Sequence, residues 1–267
     1  MSVFYAVILG IVQGVTEFLS FSSSGHLVLL QKVFGIEMPG LFFDTMLHAG
    51  TLIAVFAVLW KDILDFLRKI IQPLTGFLIL ATIPAVIAAL IFGKKIESAF
   101  DTGQFLGVSF LATTVILVTA EFLSRRKNIN AKQADKMSWK DALVIGFMQA
   151  IAIIPGISRS GATISGALSR KLDRDFAARF SFLLSIPAIL GAVVLQTKNL
   201  IQTSDSTETI GAFAIIAGTL SAAIVGFFAI KLMLKIVREK SLYGFAIYTG
   251  VLGVVILIDQ LFTRVVF

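Results

Sequence analysis

Residues 74–93 and 211–230 each run for twenty positions without a charged side chain. At 1.5 Å rise per residue, a helix of about 20 residues matches the roughly 30 Å hydrocarbon core of a bilayer. Composition points the same way. The chain is 57% hydrophobic and 15% charged, with a mean hydropathy of +0.93, whereas soluble domains are nearer half apolar and a quarter charged. The expected class is an all-α polytopic membrane protein, with 1–267 as a single membrane domain. Six full spans are expected at about 44–60, 74–93, 104–124, 176–197, 210–230 and 242–263. With no cysteine, disulfides, thiolate nucleophiles and Cys-ligated metals are excluded. No basic stretch precedes the first apolar run and no small-residue cleavage site follows it, so a cleaved leader is not expected.

Two further apolar regions, about 3–35 and 141–172, do not fit simple spans. Each is interrupted by a small polar cluster: Phe21-Ser-Ser-Ser-Gly-His26 in the first, Pro155-Gly-Ile-Ser-Arg-Ser-Gly161 in the second. The flanking halves, of 10–17 residues, are too short to cross comfortably. Broken backbone at membrane depth is tolerated only inside protein or beside a water-filled cavity. Both regions therefore read as re-entrant helical hairpins.

The two regions are also copies of each other. Sliding the chain along itself until Ala6 meets Ala142 lays 6–14 (AVILGIVQG) over 142–150 (ALVIGFMQA). The same offset lays Ser22-Ser-Ser-Gly25 over Ser158-Arg-Ser-Gly161 and aligns three spans in order. The reading is a duplication, with repeats 1–124 and 138–263, each a re-entrant hairpin plus three transmembrane helices. Three crossings per unit is odd, so the repeats are inverted, a design that brings broken helices together near the midplane. The loops near 61–73, 125–140, 170–179 and 231–240 hold 17 of the 23 Lys and Arg. Lys32, Lys94, Lys95, Lys198 and Arg264 fall on the other side. The basic side is then cytoplasmic and both termini face outward. This bias accounts for the net charge of +7 without nucleic acid, for which no motif is present.

The candidate chemistry lies in the breaks. Gln13 and Glu17 are four apart and share a helix face, and a carboxylate among Val15, Phe18 and Leu19 is costly in a membrane. Glu17 at an interface would merely snorkel, but the serine-rich turn follows at once. Ser22, Ser23 and Ser24 precede Gly25 and an apolar helix. N-capping explains one serine, whereas three beside a helix start make an anion site. His26 titrates near neutrality and suits a nucleophile or proton carrier; a lone histidine is more often structural, but an expected place beside Glu17 favours function. In the second break the Arg159 guanidinium suits phosphate. Its bland alternative is a salt bridge, with Glu17 as the candidate partner. Ser158, Ser160 and Thr163 add hydroxyls. Asp44 and His48 fit a supporting role or plain interfacial placement. Glu121 and Asp259 read as solvated span ends, and Gln149, the mate of Gln13, as an interhelical bonding residue.

At these residues the sequence resembles the bacterial undecaprenyl-diphosphate phosphatases, the bacitracin-resistance family. The matching motifs are Gln13-Gly-Val-Thr-Glu-Phe-Leu19 with Ser22-Ser-Ser-Gly-His26, and Pro155-Gly-Ile-Ser-Arg-Ser-Gly-Ala-Thr163. The likeness spans the whole chain. It implies hydrolysis of undecaprenyl diphosphate to the monophosphate, which recycles the cell-wall lipid carrier and gives bacitracin resistance. It further implies dependence on a divalent cation, Mg²⁺ or Ca²⁺, and a bacterial plasma (inner) membrane location with the site open to the outer face. The partners are then a polyprenyl diphosphate and bilayer lipid, and a homodimer is left open. Many members have glutamate where this chain has Gln13, so Glu17 is the main metal candidate.

On this reading Ser22, Ser158, Arg159, Ser160 and Thr163 hold the phosphates, and Glu17, Ser23, His26 and Arg159 are catalytic. The attacking group is Ser23, His26 or a water that His26 activates. The rival class is a transporter or flippase of an anionic prenyl lipid, since inverted repeats with broken helices also mark secondary transporters. A protein that sequesters prenyl phosphates is a third.

Overall fold

A computed structural model describes residues 1–35, 40–68, 72–125, 131–202 and 210–267, less the side chains of some residues within them, among them 94, 96–101 and 195–202. Eleven α-helices run through them: α1 (Val3–Phe18), α2 (Ser23–Val33), α3 (Gly40–Val58), α4 (Trp60–Arg68), α5 (Pro73–Thr102), α6 (Leu106–Arg125), α7 (Trp139–Ile151), α8 (Arg159–Ser169), α9 (Arg174–Gln202), α10 (Ala212–Glu239) and α11 (Tyr243–Ile258). No strand occurs among the described residues. The only ladder contact there is an isolated bridge between Lys132 and Leu172.

The surface is inverted relative to a soluble protein. Leu90 is 77% exposed and Phe228 64%, while Gln13, Thr163 and Ser185 are sealed inside. Polar groups point inward because the medium outside the bundle cannot hydrogen-bond to them. Five helices are long and apolar enough to cross a membrane: Pro73–Gly93, Leu106–Ser124, Arg174–Val194, Ala212–Glu239 and Tyr243–Thr263. The sixth expected span, 44–60, falls on α3, whose apolar part Phe42–Val58 is shorter. The expected loop at 61–73 begins instead as the separate helix α4. The lysines expected on the outer side include Lys94 and Lys198, whose side chains lie outside the described residues.

The two interrupted regions each form a pair of short helices, α1 with α2 and α7 with α8. Helices α2 and α8 are the same length, and they begin at Ser23 and Arg159, which the repeat lays over each other. Their caps match: Ser22 Oγ accepts from the Gly25 amide and Ser158 Oγ from the Gly161 amide. Helix α1 lies along α10 and α7 along α5; α6 packs on α11 and α3 on α9. The long contacts depend on missing side chains. A Cβ at Gly10 would collide with the Gly218 carbonyl oxygen, and one at its repeat mate Gly146 would sit 2.6 Å from that of Ala81. Backbones approach this closely only where both helices present small residues.

Charged ties hold the ends. Asp141, fully buried, accepts from Lys132 Nζ at 3.0 Å, Arg170 Nε at 2.8 Å and Ser138 Oγ at 2.8 Å. Glu121 is not solvated as expected. It is buried, pairs with Arg174 Nη2 at 3.0 Å and accepts from the Leu242 amide at 3.0 Å, so it joins α6, α9 and α11. Asp259 caps the final turn by accepting from Thr263 and from the amides of Val265, Val266 and Phe267. Gln149 makes no side-chain hydrogen bond among the described residues.

Gly10→Ala should cost about 1–3 kcal/mol through overpacking against α10. Gly191→Ala, where an added Cβ meets nothing within 4 Å, should be neutral or slightly stabilising. Thermal unfolding of the two variants in detergent checks both.

Candidate active site

The breaks in the two helix pairs are built differently. After α1 the chain turns through Ser20 (φ 60°) and Ser22 (φ 71°). Left-handed backbone at residues other than glycine costs on the order of 1–3 kcal/mol each and persists only where surroundings enforce it. In the second break the left-handed residue is Gly156 (φ 89°), where a Cβ would lie 2.6 Å from Ser109 Cβ. Thr113 on α6 staples this turn, donating to the Gly156 carbonyl at 3.3 Å and accepting from the Ser158 amide at 3.0 Å. The turns also touch each other: the Gly156 amide donates to Ser24 Oγ at 3.4 Å.

Between them lies a cavity of about 330 Å³, lined by Glu17, Ser22, Ser23, Ser24, Asp44, His48, Ser158 and Arg159, with apolar cover that includes Leu27, Ile153, Ile157 and Ile189. Glu17 is its centre. Ser23 Oγ donates to Glu17 Oε2 at 2.5 Å and Gln13 Nε2 donates to the same oxygen at 3.1 Å. Arg159 Nη2 donates to Oε1 at 2.5 Å, and Arg159 Nη1 to the Ser181 carbonyl at 3.3 Å. His48 Nε2 stands 3.6 Å from Oε2. A carbonyl can only accept, so the 2.8 Å contact of His48 Nδ1 with the Asp44 carbonyl puts the Nδ1 proton there and leaves Nε2 facing the carboxylate.

The structure thus brings together Gln13, Glu17, Ser23 and Arg159, with Ser22 and Ser158 in the cavity wall. The bland alternative for Arg159, an ion pair with Glu17, is formed, and it is formed inside the cavity. Ser160 and Thr163 do not reach the cavity lining. Ser160 contacts Ser158 Oγ at 3.4 Å, and Thr163 Oγ1 bonds Ser181 Oγ at 2.6 Å, so both brace the start of α8. His26 is not beside Glu17. Its Nδ1 meets the Ser22 carbonyl at 2.7 Å and its Nε2 the Tyr248 hydroxyl at 2.8 Å. The imidazole within reach of Glu17 belongs to His48. Its four-residue spacing from Asp44 was visible in the sequence, but nothing there said that α3 would turn it toward α1. Tyr248 carried no signal at all.

Among the described residues no three His, Asp or Glu side chains group into a metal cage. Glu17 and Asp44 do line one cavity. Gln13 keeps a buried Oε1 without a partner among those residues. Gln13 is not among the lining residues, so the two carboxylates are what fits a hard cation shared with a ligand's phosphate oxygens, since Mg²⁺ commonly takes only one or two protein carboxylates.

The model of the family described as bacitracin resistance protein BacA matches residues 6–255. The chain belongs to this family. Similar proteins named undecaprenyl-diphosphatase include one from Carboxydothermus hydrogenoformans, 44% identical over 260 residues, which cover 97% of this chain and 98% of the relative. One from Bacillus cereus, named undecaprenyl-diphosphatase 3, is 46% identical over 260 residues with the same coverage. One from Methanosphaera stadtmanae is 40% identical over 280 residues, covering 97% of this chain and 98% of the relative. This family member is therefore matched nearly end to end, with both breaks inside the matched region.

Removing one partner of a buried ion pair leaves the other uncompensated. Arg159→Met should cost about 2–3 kcal/mol, below the usual 3–5 because the cavity admits water. Adding Glu17→Gln should return most of it. Denaturant unfolding of the single and double variants in detergent reads the coupling.

Proposed function

We propose that this family member hydrolyses undecaprenyl diphosphate to undecaprenyl phosphate and inorganic phosphate, recycling the lipid carrier of cell-wall synthesis and conferring bacitracin resistance. The observation that carries the reading is the Ser23 hydroxyl donating to a Glu17 carboxylate that Arg159 holds from the other break. A serine is a weak nucleophile until a neighbouring base takes its proton, and a guanidinium fork suits phosphate. Ser23 Oγ attacks the terminal phosphorus, its proton passes to Glu17, and the bridging P–O bond breaks so that prenyl phosphate leaves. Water then cleaves the phosphoserine, releasing phosphate and restoring the hydroxyl. Arg159, Ser22 and Ser158 stabilise charge on the transferring group. Asp44 would hold a Mg²⁺ or Ca²⁺ together with the substrate's phosphate oxygens, with Glu17 as a second ligand only where another group takes the Ser23 proton; such a cation neutralises phosphate charge.

A route for the prenyl tail lies close to the cavity. An apolar groove between α5 and α9, lined by Leu78, Thr82, Val86, Leu183 and Ile186 among others, shares α9 with the phosphate cavity, whose wall continues at Ala188 and Ile189.

The architecture we propose is an inverted repeat of a re-entrant hairpin plus three transmembrane helices, with units 1–124 and 138–263 and six full spans. The matched caps of α2 and α8 support it. So does the exchange of partners, since the offset that lays Ala6 on Ala142 turns the α1–α10 contact into the α7–α5 contact. We place the molecule in the bacterial plasma (inner) membrane with the cavity open to the outer face. The basic connections, such as 131–140 with Lys132, Lys136 and Lys140, lie in the cytoplasm.

A transporter of the same anionic lipid is the second reading, favoured by the paired broken helices. Phosphate release from a prenyl diphosphate in detergent, where there is no membrane to cross, separates the two. Wild type should release phosphate. Ser23→Ala should lose at least about a hundredfold in kcat, and Arg159→Lys about 10²–10³, because a point charge does not reproduce the fork. A Ser23→Ala rate within a few-fold of wild type removes Ser23 from the chemistry. Orientation is tested in the naturally cysteine-free chain. Lys95→Cys should react with an impermeant maleimide from outside intact cells, and Lys132→Cys should not.

A further inference from the structure

His26 sits in the serine-rich turn, yet it faces away from the cavity. Both its ring nitrogens are committed to protein. Nδ1 donates to the Ser22 carbonyl at 2.7 Å, and Nε2 meets the Tyr248 hydroxyl of α11 at 2.8 Å. Phe110 packs edge-on at 5.3 Å between ring centres and Tyr248 stacks at 5.7 Å, with Phe21 against Tyr248 at 4.5 Å. A nitrogen so boxed has no path to a phosphorus atom in the cavity.

The bonds it makes fall on a residue that needs them. Ser22 holds φ 71° and ψ 94°, a conformation that does not persist unless enforced. Its carbonyl accepts twice from one residue, from the His26 amide at 3.2 Å and from His26 Nδ1. The next residue, Ser23, then begins α2 with its hydroxyl 2.5 Å from Glu17.

We propose that His26 and Tyr248 are positioning residues. They clamp the left-handed Ser22 peptide from the α11 side and so aim the Ser23 hydroxyl at Glu17. The kinetic part of this proposal rests on the phosphatase reading above; the placement part does not.

The two functions of the ring can be separated by isosteres. An asparagine amide can reproduce Nδ1 and a glutamine amide Nε2, and neither can transfer a proton. His26→Ala and His26→Gln should lower kcat at least about a hundredfold with KM within twofold. His26→Asn should recover to within about tenfold of wild type. Tyr248→Phe, which keeps the ring stack and loses only the hydroxyl, should cost a few-fold in kcat. Asparagine as inactive as alanine overturns the proposal in favour of chemistry by the imidazole itself, and wild-type rates throughout overturn it outright.

Placement is read without activity by adding each substitution to a Ser23→Cys chain and timing alkylation by a membrane-permeant maleimide. The rate should change several-fold with His26→Ala and His26→Gln and stay near the parent with His26→Asn. An unchanged rate with His26→Ala, in a variant that unfolds at the parent temperature, overturns the proposal. That outcome stands whether or not the chain releases phosphate.

Discussion

The structure turns on one buried ion pair. Glu17 and Arg159 are 142 residues apart in sequence, each sits at a break in an apolar helix pair, and either charge is costly there without a partner. Their attraction is what two interrupted helices have to gain by meeting. Once they meet, the backbone amides of the second break are answered from the first break and from α6, the Gly156 amide by Ser24 and the Ser158 amide by Thr113. The pair also sets the resting condition of the cavity. Arg159 is neutralised by Glu17, and on the reading proposed above it stays so until a more highly charged anion competes for the guanidinium. Arrival of a diphosphate would free the carboxylate at the moment its neighbour Ser23 needs a base.

Bringing the breaks together requires the helix pairs to sink into the bundle. Small residues allow it. Gly10 and Gly14 let α1 press on the backbone of α10, and Gly146 does the same for α7 against α5. The bulky apolar side chains displaced from these seams go outward, where Leu90 and Phe228 face lipid. The outward placement costs nothing in a bilayer, whose hydrocarbon is as apolar as the side chains.

Much of this was legible beforehand because membrane helices announce themselves by composition and their interruptions by polarity. The 74–93 and 211–230 runs lie on α5 and α10, and the breaks at 19–22 and 152–158 fall where the serine clusters sit. Polarity does not report direction. Glu121, near the end of α6, read as solvated, yet Arg174 from α9 reaches it. His26 read as the partner of Glu17 because it follows closely on the same hairpin. The strained turn at Ser20 and Ser22 sets the start of α2 so that Ser23 faces the cavity and His26 faces α6 and α11. His48, on a different helix and with no motif around it, takes the place beside the carboxylate. Side-chain direction at a break depends on dihedral angles that sequence spacing does not encode.

Positions that the repeat pairs explain why one cavity can hold two kinds of chemistry. Ser22 and Ser158 both remain serines and both cap helices, so the capped helix starts are kept in duplicate. The neighbouring positions differ. Ser23 corresponds to Arg159 and Glu17 to Ile153, and all four line the same cavity. The first break therefore supplies a hydroxyl and a carboxylate, the second a cation and an apolar wall. Had both breaks carried Glu17-like carboxylates, two like charges would face each other across the cavity and repel the phosphate. Two arginines would bind the anion but leave no base for the serine. A site that both holds a diphosphate and deprotonates a hydroxyl beside it needs the two breaks to differ at these positions.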